Sequence, residues 1–305
     1  MSNSWCAAVI TCLMSTPFLA GSWAFPQTSS PGKGTRTDQR STVPRTSDGQ
    51  PDIQGMWQGI GPSPGGVKNP GPQSASALPA GSKHSSGSYN YGVFSETRSS
   101  TNLPGGIIDP PDGKLPLQDW AVAKQQEVRK YLNELPPRAR LMEVVDTAVR
   151  CMPGVPFPMF MAADYTGLQI LQYPGRVVIV SEWNHIYRNI PLDGRPHLGK
   201  EIRLWLGDSR GRWEGNTLIV DVTNFNGKGW FDRAGTPQSD AAHLVERFTV
   251  VDRDTIAYEV TVEDQKVATR PWKLAGVFTR AKPGYETYEY ACHEGNARDL
   301  ENMLR

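Results

Sequence analysis

GRWEGNTLIVDVTNFNGKGWFDRAGTPQSDAAHLVERF, residues 211–248, decides how this chain is read. Two segments in it, Thr217–Val222 and Leu244–Val250, are rich in β-branched and aromatic residues and alternate in polarity. That period of two marks half-buried strands. Gly215-Asn216, just before the first, is a tight-turn signal. The loop between the strands gathers Asn224, Asn226, Trp230, Asp232, Arg233 and, at its end, His243, more polar and aromatic groups than a turn requires. Apolar walls with a few placed polar groups are the usual make-up of a small-molecule pocket. The stretch therefore reads as the rim or floor of a cavity.

Outward from it the same pattern repeats. Leu168–Tyr173 and Arg176–Trp183 flank a Pro174-Gly175 turn, Ile186–Pro191 follows, and Glu201–Leu206 alternates. Downstream come Thr255–Val262, Arg270–Ala275, Val277–Arg280 and Tyr285–Ala291. Eight or more short strands at regular spacing, with no long helix between them, argue against βαβ folds and for a mainly β, antiparallel barrel or strongly curved sandwich. About eight strands enclose room for one small ligand. One helix is expected before the strands, over Pro116–Leu135: Pro116 suits a first turn, and Leu117, Trp120, Ala121, Val128, Leu132 and Leu135 repeat at helical spacing. A weaker helix is expected over Ala139–Val149.

The beginning of the chain has a different character. Ala7–Leu19 is largely apolar, and Ser22-Trp23-Ala24 resembles a cleavage site, so residues 1–24 read as an export signal, although no Lys or Arg precedes Lys33. Residues 25–50 read as a disordered leader, and 51–305 as a single barrel domain carrying a Gly/Pro/Ser-rich loop at 61–106. The expected location is periplasmic or secreted. With 32 basic and 31 acidic residues there is no surplus to track a phosphate backbone, so nucleic acid is not expected as a partner. No apolar run is long enough for an integral membrane segment. Oligomeric state is not legible.

Cys6 and Cys12 leave with the signal, and Cys151 and Cys292 remain. An even count in an exported chain predicts a disulfide, worth about 5 kcal/mol across so long a loop. The competing reading is a pair of metal ligands beside His293, which neither a CxxC nor a HxxxH accompanies. No nucleophile elbow, phosphate loop or dinucleotide fingerprint is present. The expected chemistry is therefore general acid–base work with no cofactor and no metal.

Candidate residues follow from strand alternation. His185 and Tyr187 share one face of their strand, where a histidine beside a phenol can move protons near neutral pH. Trp183, next to them, and Trp230 are candidate pocket walls. Arg195 and His197 lie at a strand end, where an arginine fork suits a carboxylate. Asp221 interrupts an apolar strand: it is a perturbed carboxylate if its face lines the cavity and an ordinary surface residue if it does not. Asn224, Trp230 and Arg233 come from the central loop, and Arg270 from a strand start marked by Pro271. His243 and Glu246, three apart on one strand, point to opposite faces and form no pair.

PDIQGMW (51–57), CMPGVP (151–156), YPGRVVIVSEWNHIYRNIPLDGRPH (173–197), GRWEGNTLIVDVTNF (211–225), WFDRAG (230–235), HLVERF (243–248), TRPW (269–272) and EYACHEGN (289–296) together resemble a large family of exported bacterial proteins, most without an assigned function. That resemblance implies a lipocalin-like β-barrel. A fainter one is to cofactor-independent lyases and decarboxylases acting on lignin-derived phenylpropanoid dimers through a quinone-methide-like species. It implies a lyase step (decarboxylation, loss of formaldehyde or water, or a related isomerisation) on a small aromatic or phenolic molecule. His185, Tyr187, His197, Asp221 and His243 would be the acid–base candidates, and Trp183, Arg195, Asn224, Trp230, Arg233 and Arg270 the substrate contacts. The alternatives are a non-catalytic carrier of a small hydrophobic ligand, built on the same barrel, and a structural envelope protein with a filled barrel.

Overall fold

The computed structural model describes residues 43–60, 106–133, 150–152, 167–182, 184, 186–232 and 235–294. The export signal, residues 25–42 of the leader, the loop from 61 to 105 and the helix expected at Ala139–Val149 lie outside them. Residues 43–51 carry a turn in which Thr46 N–H donates to Gln50 O, next to an Arg45–Pro51 bridge.

The elements in chain order are β1 (Gly55–Ile60), β2 (Gly106–Asp109), α1 (Asp119–Asn133), β3 (Leu168–Tyr173), β4 (Arg176–Ser181), β5 (Tyr187–Pro191), β6 (Asp208–Glu214), β7 (Thr217–Thr223), β8 (His243–Asp252), β9 (Thr255–Glu263) and β10 (Trp272–Arg280). Nine strands form one path, β5-β4-β3-β1-β10-β9-β8-β7-β6, and β2 pairs with β10 beside it. Every ladder is antiparallel. The sheet curls into a nearly closed, lipocalin-like barrel.

An odd number of strands in strict antiparallel order leaves the first and last, β5 and β6, running the same way. Among the described residues they share no ladder, and side chains hold the seam instead. Arg188 on β5 donates to Ser209 Oγ on β6 at 3.1 Å. Gly211 lets the two strands approach, because a Cβ there would lie 2.6 Å from Leu192 and 2.7 Å from Ile190.

Alternation sets the inner face. Val177 and Ile179, Leu218, Val220 and Val222, Leu244 and Phe248, Ile256, Val260 and Val262, and Leu274 and Phe278 are all buried in one continuous core. Each large apolar side chain so buried stabilises by about 1.5–3 kcal/mol. Phe248, Tyr258 and Phe278 pack together with ring centroids 5.0–6.0 Å apart, Phe248 stacked on Phe278 and Tyr258 edge-on to Phe278. Trp57, wholly buried, donates from Nε1 to Ile53 O at 2.8 Å.

Several boundaries differ from the sequence reading. The helix begins at Asp119 rather than Pro116, because Pro116 and Leu117 are extended: Thr269 N–H donates to Pro116 O, and Leu117 bridges Ala268. β10 runs unbroken through Gly276, so two expected strands are one. Glu201–Leu206 forms no strand. Both edges of β7 are taken by β6 and β8, and only an isolated Leu204–Phe225 bridge forms. Tyr285–Ala291 also stays irregular, since β10 is already flanked by β9 on one side and by β1 and β2 on the other. Its end is tied down by the Cys151–Cys292 disulfide, with a Cα–Cα distance of 5.7 Å.

Candidate functional site

In β7 the core takes Leu218, Val220 and Val222, so Asp221 faces outward between Ile219 and Thr223. In β8 the core takes Leu244 and Phe248, so His243 also faces outward. The ladder pairs Asp221 with Val245, which sets His243 diagonally across from it, within side-chain reach. His243 Nε2 lies 3.0 Å from Asp221 Oδ2. The other Asp221 oxygen, Oδ1, lies 2.7 Å from His197 Nε2. One carboxylate thus joins two imidazoles on the outer wall of the barrel.

His197 reaches this point from the segment between β5 and β6, which lies against the wall. Asn224 pins that segment: its Nδ2 donates to the carbonyls of Leu198, Gly199 and Ile202 at 3.0–3.1 Å. Its backbone is left-handed, at φ 63°, a region asparagine tolerates better than most residues. Leu198 N–H donates to Asp208 Oδ2, which also meets His197 Nδ1 at 2.9 Å. Asp208 Oδ1 accepts from Arg210 at 2.7 Å. On the far side, Glu263 on β9 is the cross-strand partner of His243, with its Oε2 at 3.5 Å from Nδ1. Arg210, Asp208, His197, Asp221, His243 and Glu263 thus form one row in which basic and acidic side chains alternate.

The two histidines differ in what they leave free. Both ring nitrogens of His197 are taken up by carboxylate oxygens, Nδ1 by Asp208 and Nε2 by Asp221, so His197 acts as a clasp. His243 is held firmly at Nε2, whereas Nδ1 has only the long contact to Glu263, and 34% of its side chain is exposed. The hydrogen bond to Asp221 raises the His243 pKa above the ordinary histidine value, against the opposing effect of burial, with Glu263 adding to the rise. The bond from His243, chiefly, and then that from His197 hold the Asp221 carboxyl below the usual range. Among the described residues no group of three or more His, Cys, Asp or Glu is arranged as a metal site.

Of the residues expected from sequence, His197, Asp221 and His243 thus come together, though outside the barrel. Tyr187 is 69% exposed on the outer face of β5, far from a buried acid–base role. His185, Trp183 and Arg233 lie outside the described residues. Arg195 is not a free fork, since it closes on Asp193 of its own turn. Arg270 is likewise paired, with Asp109 at 2.8 and 3.1 Å. Trp230 is buried in its loop beside a bridge to Pro237, and Asn224 serves the backbone. Asp232 accepts from the Thr236 N–H and hydroxyl.

The sequence reading missed a second polar cluster, inside the barrel. Glu246, fully buried, accepts from Arg188 at 3.0 and 2.5 Å and from the Tyr258 hydroxyl at 2.7 Å. Burial first, then the adjacent Glu246 charge, pushes the Tyr258 hydroxyl well above the usual phenol range, so it stays a donor. The signal was present in the alternation: Glu246 shares a face with Leu244 and Phe248, and Arg188 with Ile186 and Ile190. A lone charge on an apolar face calls for an opposite charge on a neighbouring one. The chain matches no known family model and no curated protein.

Proposed function

We propose that the protein is a cofactor-independent acid–base enzyme whose proton-transfer atom is His243 Nδ1. Asp221 orients the imidazole through Nε2, as a carboxylate does for a catalytic histidine in a hydrolase triad, and His197 fixes Asp221 in turn. The observation that carries this reading is the asymmetry of His243: one nitrogen anchored at 3.0 Å, the other in a single 3.5 Å contact at an accessible edge. A histidine so held can take a proton and return it near neutral pH.

The reaction class we assign is a lyase step on a small phenolic molecule. It draws on the resemblance to enzymes of lignin-derived dimers. Arg195 and Arg270 are both neutralised by an aspartate, which favours loss of water or formaldehyde from a neutral phenol over decarboxylation of a clamped acid. The test is to incubate the purified full chain with phenolic phenylpropanoid dimers and follow substrate and product by mass spectrometry. His243→Gln is expected to lower turnover by ~10²–10⁴-fold. Asp221→Asn lowers it as well and shifts the pH profile, since its effect runs through the imidazole. Undiminished turnover in both variants removes this site from the mechanism.

A further inference from the structure

Among the described residues, the inner face of the barrel holds two buried polar groups left without a partner. Arg188, 4% exposed, spends its terminal nitrogens on Glu246 and Ser209, but its Nε–H has no acceptor. Ser181, 3% exposed, has a hydroxyl with no partner. The two are neighbours: β4 and β5 pair Ile179 with Arg188, so Ser181, two residues on and on the same inner face, lies diagonally opposite. A buried polar group left unpaired costs about 1–3 kcal/mol, and native interiors rarely tolerate one without a bound partner. The connection beyond Ser181 also buries Glu182 Oε2 and Asn184 Oδ1 without partners.

We propose that this part of the interior binds a small neutral molecule through a carbonyl oxygen, which accepts from Arg188 Nε and the Ser181 hydroxyl. Charge selects the neutral form. Glu246 already compensates Arg188, so an anion would bring an unmatched charge into a dry interior. The site is separate from the outer-wall histidines and does not rest on the acid–base reading.

Calorimetric titration of the full chain with three probes of matched shape tests this. They are 4-hydroxyacetophenone (a neutral carbonyl), 4-hydroxybenzoate (an anion) and 4-ethylphenol (no carbonyl). The ketone is expected to bind at least ~10-fold more tightly than either of the others, and about 10-fold more weakly to Ser181→Ala, the loss of one hydrogen bond worth ~1.4 kcal/mol. Ser181→Ala removes a hydroxyl the unliganded protein leaves unpaired, so the variant should unfold no more easily than the parent. His243→Gln should bind the ketone as the parent does, which separates this site from the one on the outer wall. Equal binding of the three probes, unchanged affinity in Ser181→Ala, or no binding with only a water on Arg188 Nε would each overturn the proposal.

Discussion

Replacing Glu246 with glutamine is expected to be among the most destabilising isosteric changes in this barrel. The carboxylate is fully buried, and the Arg188 side chain facing it is 3% exposed. Glu246 receives three hydrogen bonds, two of them from the guanidinium. Glutamine keeps the shape but removes the charge and turns an amide donor towards a group that can only donate. Arg188 is then a buried cation without a counter-charge, and breaking a buried pair in this way costs about 3–5 kcal/mol. Removing both charges behaves differently. Arg188→Met with Glu246→Leu leaves only the Tyr258 and Ser209 hydroxyls without their partners, each costing about 1–3 kcal/mol. Adding Tyr258→Phe and Ser209→Ala removes those as well, so the quadruple variant should return to within ~2 kcal/mol of the parent, as apolar replacements of buried ion pairs often do. Urea denaturation of the oxidised protein, followed by tryptophan fluorescence, measures all three, and a constant slope checks that the folded states are alike. A cost below ~1 kcal/mol for Glu246→Gln, or a quadruple variant as unstable as the single one, would refute the claim that an isolated charge pair sits in an apolar interior.

Other predictions concern the outer wall and the covalent tie. The raised pKa of His243 means that its stabilisation is complete below the free-histidine value of about 6.5 and is lost as pH climbs through the raised value. The lowered pKa of Asp221 means that its contribution is complete above about 3.9 and is lost as pH falls through the lowered value. The stability difference between the parent and Asp221→Asn should therefore be greatest between about pH 4 and 6.5 and shrink towards alkaline pH; a difference in urea midpoint that stays as large well above the raised His243 value as it is at about pH 6 contradicts the coupling. Asn224→Ala deletes three bonds to the 198–202 backbone and disfavours the left-handed turn. It should expose that segment to limited proteolysis and release His197 from Asp221, whereas Asn226→Ala should leave the cleavage pattern unchanged. Reducing the Cys151–Cys292 bond, which spans 141 residues, should lower stability by up to about 5 kcal/mol, seen as a drop in urea midpoint with reductant that Cys151→Ser/Cys292→Ser lacks.

Much of the site was legible because strand alternation is a local property. Leu218, Val220 and Val222 fixed the orientation of Asp221 relative to its neighbours, and the same count separated His243 from Glu246. His197, Asp221 and His243 could each be singled out from residue type and position. Their meeting could not, since it depends on the β7–β8 register and on a segment that folds back over the wall. The pairing of Arg195 and Arg270 escaped the sequence for a related reason. A lone arginine near a strand end looks like a ligand fork until its partner is placed, and Asp109 is distant in sequence from Arg270. Arg188 and Glu246 carried a clear local signal, a charge on an apolar face, but the strand that answered each lay on the other side of the seam.

The sequence by itself determined that the chain forms antiparallel strands, where most of them lie and which residues share a face. Those properties follow from the period-two geometry of the strand and from turn residues such as Gly175 and Gly215, which act over a few positions. Only the tertiary structure decided which face turned inward at Asp221. Face selection is a collective choice, made by the sum of apolar side chains over nine strands, and no single strand contains it. That choice placed the histidine row on the outer wall and left Arg188, Glu246 and Tyr258 to satisfy one another within.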